Sequence, residues 1–430
     1  MKRLIMLLGI SMAVIFTVVG VVQEQRRDAT GDISGGLYVL ANRSDMAKSA
    51  MVGKKITFSA NDFEKSLNLA KITSITVTSV PEITDGCLCL GEVLVNKGQT
   101  ISRESLALLN YRAGDERVKE SFFTFKVNES EYEMRCNLYF LDRANQAPTL
   151  ELEDERAFSV STHQTVRVWG KVGAYDPDGD KMRYEIVKYA RGGVIELDSE
   201  TGEYTYTPSG AYFGEDSFEY VAVDKYGNYS TSKEVALNVE KLKTDAIYTD
   251  MQDHKDHHAA LTMTEKGIMN GTTIGNNTFF MPDKSVSRVD FVVMLMHAIG
   301  VDEVEAVADT GFDDDAEIPK SMKGYVYKAR DMGLINGAVD ADGNYLFEPN
   351  RAISRAEAAL IVNKVVKGSV PTVKPTFADK NEIPAWAQDA IYSLNDIGIL
   401  VSINGEFAPS ADLTRAQTAQ TLYALMEYLD

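Results

Sequence analysis

Three short stretches decide the fold of the C-terminal third of this 430-residue chain: Ser287-Arg288-Val289, Ser354-Arg355-Ala356 and Thr414-Arg415-Ala416. Their arginines lie 67 residues (355 − 288) and 60 residues (415 − 355) apart. Upstream of each triplet the chain has an aromatic residue and a proline: Phe280 with Pro282, Phe347 with Pro349, and Phe407 with Pro409. Further upstream comes a glycine: Gly267, Gly333 or Gly398. Each unit opens with an aromatic residue two positions before an acid: Tyr248 and Asp250, Phe312 and Asp314, and Phe377 and Asp379.

Landmarks that recur in one order at a roughly constant spacing indicate an internal repeat. Apolar residues spaced at the helical period, such as Ala390, Ile391 and Leu394, predict that the repeats are helical. We therefore predict an all-α bundle of three copies, each a helix, a loop and a second helix, over about 243–303, 304–369 and 370–430.

The arginine of each triplet is the first candidate for chemistry. A serine or threonine, with Asp290, Glu357 or Gln417 three residues later, resembles a capping box and predicts a helix start. The arginine between them needs another explanation, because the helix dipole disfavours a cation in the first turn. A guanidinium beside free N–H groups can bind a carboxylate or phosphate. Alternatively, each arginine pairs with an acid of a neighbouring copy.

The third copy carries the fullest motif: Ile383-Pro384-Ala385-Trp386-Ala387, Gly398-Ile399-Leu400, Phe407-Ala408-Pro409 and Leu413-Thr414-Arg415-Ala416-Gln417. With these motifs the region from about 245 to 430 resembles the S-layer homology domain. Lys255 and Ser321 stand where the third copy has Trp386. The resemblance implies a three-pronged bundle that binds pyruvylated secondary cell-wall polysaccharide in the grooves between the prongs. It implies these contact residues: Arg288, Arg355, Arg415, Asp250, Asp314, Asp379, Gly267, Gly333, Gly398 and Trp386.

The region before the repeats alternates apolar and polar residues and predicts two all-β sandwiches, at 28–146 and 147–242. The first resembles Ig-like repeats of exported bacterial proteins, and the second resembles bacterial cadherin-like or Ig-like surface repeats. In the second, Asp176, Asp178 and Asp180 offer oxygen ligands suited to Ca²⁺, although no bidentate acid follows at EF-hand spacing. The alternative is a tight Asp-Gly turn between strands.

The N-terminus predicts export. Lys2 and Arg3 precede an uncharged apolar run from Leu4 to Val22, so residues 1–27 are predicted to be a signal peptide. The run is also long enough to remain as an uncleaved anchor. The chain is acidic, with 44 Lys and Arg against 63 Asp and Glu, which argues against nucleic acid as a partner.

Cysteine and histidine add little at this stage. The three cysteines are too few for a disulfide framework, and Cys87 and Cys89 are interpreted as small core residues. His254, His257 and His258 are interpreted as a solvated helix face rather than a metal site.

The sequence shows no hydrolase elbow, phosphate-binding loop or HExxH motif, so we expect no enzyme. It predicts an exported surface protein held non-covalently at the cell wall or S-layer, with the β-domains as spacers or adhesive modules that contact an extracellular protein or glycan. The alternatives are an S-layer self-assembly subunit and a wall-associated hydrolase with an unrecognised site.

Overall fold

The computed structural model describes residues 45–128, 130–150, 158–372 and 374–430. The predicted export segment lies outside these residues. No helix in the described ranges is long and apolar enough to cross a membrane.

The first β-domain packs two sheets around one apolar core. Its strands are β1 (Asp45–Met51), β2 (Ile56–Thr57), β3 (Ser74–Ser79), β4 (Gly86–Leu90), β5 (Val93–Leu94), β6 (Thr100–Ser102), β7 (Leu109–Ala113), β8 (Glu120–Val127) and β9 (Met134–Leu141). One sheet has the order β1-β9-β8-β3-β6 and the other β2-β7-β4-β5. Strand β1 pairs parallel to β9, and the other pairs are antiparallel. Residues that alternate along β8, Phe123 and Phe125, point into the core.

The prediction of a purely β first domain missed a helix, α1 (Ala60–Leu67). Ser59 and Asp62 form a capping box at its start, and Phe63 and Leu67, one turn apart, bury their side chains in the core. The prediction that Cys87 and Cys89 are small core residues is confirmed for Cys89, which is buried, whereas Cys87 is only partly buried. Because Leu88 between them faces the core, both cysteines lie on the opposite face of β4, where Cys89 is covered.

The second β-domain is a sandwich with a core rich in tyrosine. Its strands are β10 (Ser159–His163), β11 (Val168–Lys171), β12 (Met182–Lys188), β13 (Gly193–Leu197), β14 (Glu203–Pro208), β15 (Gly214–Asp224) and β16 (Lys233–Glu240). They form the sheets β10-β16-β15-β12 and β11-β14-β13. Tyr206, Phe218 and Tyr220 fill the space between the sheets.

The C-terminal third consists of three copies of helix, loop and helix. The helices are α2 (His257–Glu265), α3 (Arg288–Ala298), α4 (Lys323–Asp331), α5 (Arg355–Val366), α6 (Gln388–Asp396) and α7 (Arg415–Leu429). The loops of the first two copies contain short hairpins, β17 (Thr272–Ile274) with β18 (Asn277–Phe279) and β19 (Ala338–Val339) with β20 (Tyr345–Leu346). The third loop has a single bridge between Ile403 and Glu406 in the same place.

A closed ring of backbone hydrogen bonds joins the three copies at their centre. The Val286 N–H donates to the Leu413 carbonyl (3.0 Å), Leu413 donates to Ile353 (2.9 Å), and Ile353 donates to Val286 (3.0 Å). All three side chains are buried. Each of these residues lies two positions before a triplet arginine, so the ring places three helix starts around one pseudo-threefold axis.

Candidate functional site

The second helix of each copy begins at the predicted arginine. The side chains of Ser287, Ser354 and Thr414 accept the N–H three residues later. The full capping box is present in the second and third copies. In the first copy Asp290 accepts the hydroxyl proton of Ser287 (2.6 Å) and not its backbone N–H, so the box is half complete.

Each arginine crosses to the next copy around the ring. The Arg355 guanidinium donates from Nε to the Phe407 carbonyl (2.7 Å) and from Nη2 to the Val401 carbonyl (2.8 Å). Arg415 repeats this arrangement with the first copy, donating to Phe280 (2.7 Å) and Asn270 (2.8 Å). Arg288 donates from Nη2 to Asn336 of the second copy (3.2 Å). The arginines therefore lie at the three boundaries between copies.

An aromatic ring of the neighbouring copy lies under each guanidinium. The guanidinium carbon is 5.4 Å from the ring centre of Phe347 for Arg288, 4.8 Å from Phe407 for Arg355 and 4.7 Å from Phe280 for Arg415. Sequence reasoning used these aromatics as landmarks without assigning them this role. The recurrence of an aromatic two residues before a proline was the signal.

The early acids hold the loops of their own copies. The Asp250 carboxylate accepts the N–H groups of Phe280 (2.8 Å) and Met281 (2.7 Å), and Asp379 accepts those of Phe407 (2.9 Å) and Ala408 (2.7 Å). Asp314 binds Phe347 and Glu348 in the same way. The second donor in each copy, Met281, Glu348 or Ala408, follows the aromatic and has positive φ. The acid thus fixes the aromatic whose ring lies under an arginine of another copy.

The three arginines differ in accessibility and in compensation of their charge. Arg355 is 2% exposed, and burial lowers its pKa to about 10. Arg288 is also buried, but its Nη1 lies 3.5 Å from the Glu357 carboxylate, and its Nε has no hydrogen-bond partner. Burial lowers the pKa of Arg415 too, although this side chain is only half-buried. Among the described residues no carboxylate lies within 4.0 Å of Arg355 or Arg415.

The other predicted contact residues lie at the ends of the first helices. Gly267, Gly333 and Gly398 follow α2, α4 and α6 with φ of +71°, +71° and +74°, a conformation that favours glycine. Trp386 lies two residues before α6 and is 55% exposed, so it is not part of the core. Lys255 and Ser321 hold the matching exposed positions before α2 and α4.

The aspartates of the second β-domain form both a turn and a cluster. Each of Asp176, Asp178 and Asp180 offers a carboxylate oxygen, and these oxygens lie within 4.8 Å of one another. Asp176 is 3% exposed; its Oδ1 accepts the N–H groups of Asp178 and Asp180, and its Oδ2 has no partner. Lys225 lies 3.4 Å from Asp180. The hard oxygens and the unpaired buried Oδ2 fit a Ca²⁺ ion, whereas Lys225 would compete with it.

Family models match two parts of the chain. The model of the bacterial cadherin-like domain matches residues 145–241, and that of the S-layer homology domain matches residues 311–359 and 376–419. The chain is therefore a multidomain protein in which S-layer homology repeats follow β-domains, of which the second is cadherin-like. The model's matches fall in the second and third copies; the first copy shares their landmarks and helices.

The matches to curated relatives cover only the S-layer homology and cadherin-like regions of the chain. It is 33% identical over 153 residues to the surface-layer 125 kDa protein of Lysinibacillus sphaericus, covering 34% of this chain and 12% of that protein. It is 25% identical over 192 residues to an amylopullulanase of Thermoanaerobacterium thermosulfurigenes, covering 43% and 10%. A Bacillus endoglucanase is 27% identical over 168 residues, covering 38% and 17%. The chain thus spans less than a fifth of the length of each of these relatives.

Solved structures of β-domain proteins are also similar to the chain. One of them, Drosophila N-cadherin EC1-3, is 12% identical with a TM-score of 0.21, covering 49% of this chain and 63% of that one. No functional argument follows from a likeness at this level.

Proposed function

We propose that this protein is exported and held non-covalently at the cell wall by its three helical copies, which bind an anionic, pyruvylated secondary wall polysaccharide at the boundaries between copies. The S-layer homology repeats support attachment at the cell surface, and the arginines support an anionic ligand. Within this proposal the β-domains serve as spacers or adhesive modules, and the chain itself is not an enzyme.

The observation that carries the proposal is the state of Arg415. Its guanidinium is half-buried at the boundary of the third and first copies and contacts two neutral carbonyl oxygens. Two of its five N–H groups are used, so three remain to donate. The carboxylate of a pyruvate ketal offers two oxygens, and a guanidinium can bind both at once.

The other two boundaries are poorer receptors by the same reasoning. At the first boundary the ionised Glu357 already neutralises Arg288 and would repel a second carboxylate. At the second, Arg355 is nearly inaccessible to a polymer. We therefore rank the boundary of Arg415 first. Exposed Lys255, at the position that corresponds to Trp386, adds a cation to the first copy.

Wall binding by the full chain tests the proposal. Sedimentation with native walls and with walls stripped of pyruvate ketals should give retention on the native walls only. Loss of one charge-assisted contact costs roughly 1.5 to 3 kcal/mol, so Arg415→Ala should bind about ten- to a hundredfold more weakly while its circular dichroism stays unchanged. Lys328→Ala, which removes an exposed surface pair with Asp331, is the matched control.

Four results would contradict parts of the proposal. Equal retention on both wall preparations rules out the pyruvate ketal. Wild-type binding by Arg415→Ala with an intact fold removes Arg415 from the receptor. Ordered assembly of the purified chain without any wall material favours the self-assembly subunit, and turnover in a screen of wall glycans favours the hydrolase.

A further inference from the structure

A buried pair of histidines joins the second β-domain to the helical bundle. His163 ends β10 and is 0% exposed, and His258 lies in the first turn of α2 and is 7% exposed. Their Nδ1 atoms are 2.8 Å apart and their ring centres 4.6 Å apart. The sequence prediction of a solvated helix face is therefore wrong for His258, because packing of α2 against β10 covers that side of the helix.

The surroundings of the pair fix where its protons lie. A hydrogen bond between two Nδ1 atoms requires one ring to donate and the other to accept. The Nε2 of His163 faces the Glu265 carboxylate at 3.4 Å and that of Glu240 at 3.9 Å. The other Glu265 oxygen accepts the Lys243 N–H (2.6 Å), which holds this carboxylate in place. We assign the proton of His163 to Nε2, so that His258 donates from its Nδ1.

Every element that packs against the pair brings titratable groups. They are Glu240 of β16; His254, Asp256, His257, Glu265 and Lys266 in or beside α2; and Tyr423, Glu427 and Asp430 in or after α7. The Tyr423 ring contacts His258 edge-on at 4.9 Å. The carboxylates of Glu240 and Glu265 lie on the His163 side. Both Nε2 atoms are buried without a hydrogen bond, and among the described residues only that of His163 has carboxylates within 4.0 Å.

We propose that His163 and His258 form an acid-sensitive latch that keeps the second β-domain docked on the helical bundle while His258 is neutral and releases it when His258 binds a proton. In the docked pair only one nitrogen is left for an additional proton, His258 Nε2, because His163 Nε2 and the hydrogen bond between the two Nδ1 atoms already hold one proton each. That nitrogen is buried with no hydrogen-bond partner, so protonation favours the open state.

The direction of the pH dependence follows from the two histidines on α2. Burial, with His163 as the next cause, lowers the pKa of His258 to about 3 and that of His257 to about 4. A histidine in an open joint binds its proton near pH ~6.5. The open state therefore takes up more protons below that pH. Docking is at full strength above about pH 6.5 and weakens progressively as the pH falls towards 3.

Hydrogen exchange of the full chain, corrected for intrinsic rates, tests the latch between about pH 7.5 and pH 4. Protection of β10, the start of α2 and the end of α7 should fall about tenfold or more, while protection of β8 and β9 in the first domain stays constant. The radius of gyration from X-ray scattering should rise over the same range. Wild-type protection that stays constant down to pH 4 would overturn the proposal.

Two variants and a control make the test specific. His258→Gln still donates to His163 but cannot bind a proton, so its joint should lose less protection at pH 4 than that of the wild type, and His257 accounts for the loss that remains. Glu265→Gln removes the nearer carboxylate from His163 and should move release to a higher pH. His297→Asn, which affects a surface contact with Asp302, should behave like the wild type. If His258→Gln releases with the wild-type midpoint, His258 is not the proton acceptor. If it is open at every pH, the double variant His163→Leu/His258→Leu, which removes both rings and their shared hydrogen bond, must stay docked to a lower pH than the wild type, or the latch is refuted.

Discussion

Replacing Arg355 by alanine should destabilise the helical domain by about 3 kcal/mol, and the structure gives the terms of this value. The guanidinium donates two hydrogen bonds to carbonyl oxygens of the third copy and lies over the Phe407 ring. Charge-assisted hydrogen bonds are worth roughly 1.5 to 3 kcal/mol each, and a desolvated cation–π contact adds about 0.5 to 2 kcal/mol.

Burial of the charge opposes these gains. It lowers the pKa of Arg355 from 12.5 to about 10, which corresponds to about 3 kcal/mol against the charged form. The difference between gain and penalty is roughly 0.5 to 5 kcal/mol. Alanine also leaves the carbonyls of Phe407 and Val401 without donors, so a loss near the middle of this range is expected.

Thermal unfolding followed by circular dichroism in the helical band measures this loss. About 3 kcal/mol corresponds to a fall in Tm of about 6–12 °C for a domain of this size. Arg355→Lys keeps the charge but has no planar fork for two separate carbonyls, so its Tm should lie between those of the wild type and Arg355→Ala. Lys328→Ala on the surface of α4 should change the Tm by less than about 2 °C.

The refuting result is specific. If Arg355→Ala unfolds within about 2 °C of the wild type, the inter-copy contacts of the arginine do not stabilise the bundle.

Two further predictions concern carboxylates. Calcium should stabilise the second β-domain: at a free concentration of about a hundred times Kd, the free energy of unfolding should rise by about 2.7 kcal/mol. Differential scanning calorimetry should show this rise for the wild type and for the control Asp198→Asn, whose carboxylate caps another turn, but not for Asp176→Asn. An equal rise in all three proteins would contradict the site. Glu357 should contribute to acid stability: burial raises its pKa, but hydrogen bonds from Arg351 and the Ser354 N–H outweigh burial and lower it from 4.5 to about 2. Its contribution to the free energy of unfolding is therefore complete above pH 4.5 and is lost as the pH falls through 2. The free energy of unfolding of Glu357→Gln should change less with pH over this window than that of the wild type, and an equal change would contradict the role.

The sequence by itself determined the features that depend on short-range rules. Capping residues and apolar periodicity predicted that α3, α5 and α7 start at Arg288, Arg355 and Arg415. Alternating residues predicted the strands of both β-domains. These signals are readable because a helix cap and a strand face involve residues only two to four positions apart. The helix α1 was missed because its eight residues lie within a region of strands.

Only the tertiary structure decided how the arginines differ. Their partners lie up to 145 residues away, and the three triplets look alike in sequence. Burial of Arg355, neutralisation of Arg288 by Glu357 and partial exposure of Arg415 follow from packing around the ring. Asp250, Asp314 and Asp379 bind backbone N–H groups, and of the three arginines Arg288 alone pairs with an acid of a neighbouring copy among the described residues, Glu357. His163 and His258, which are 95 residues apart, meet for the same reason: contact between domains depends on which surfaces pack together, and no local pattern records that.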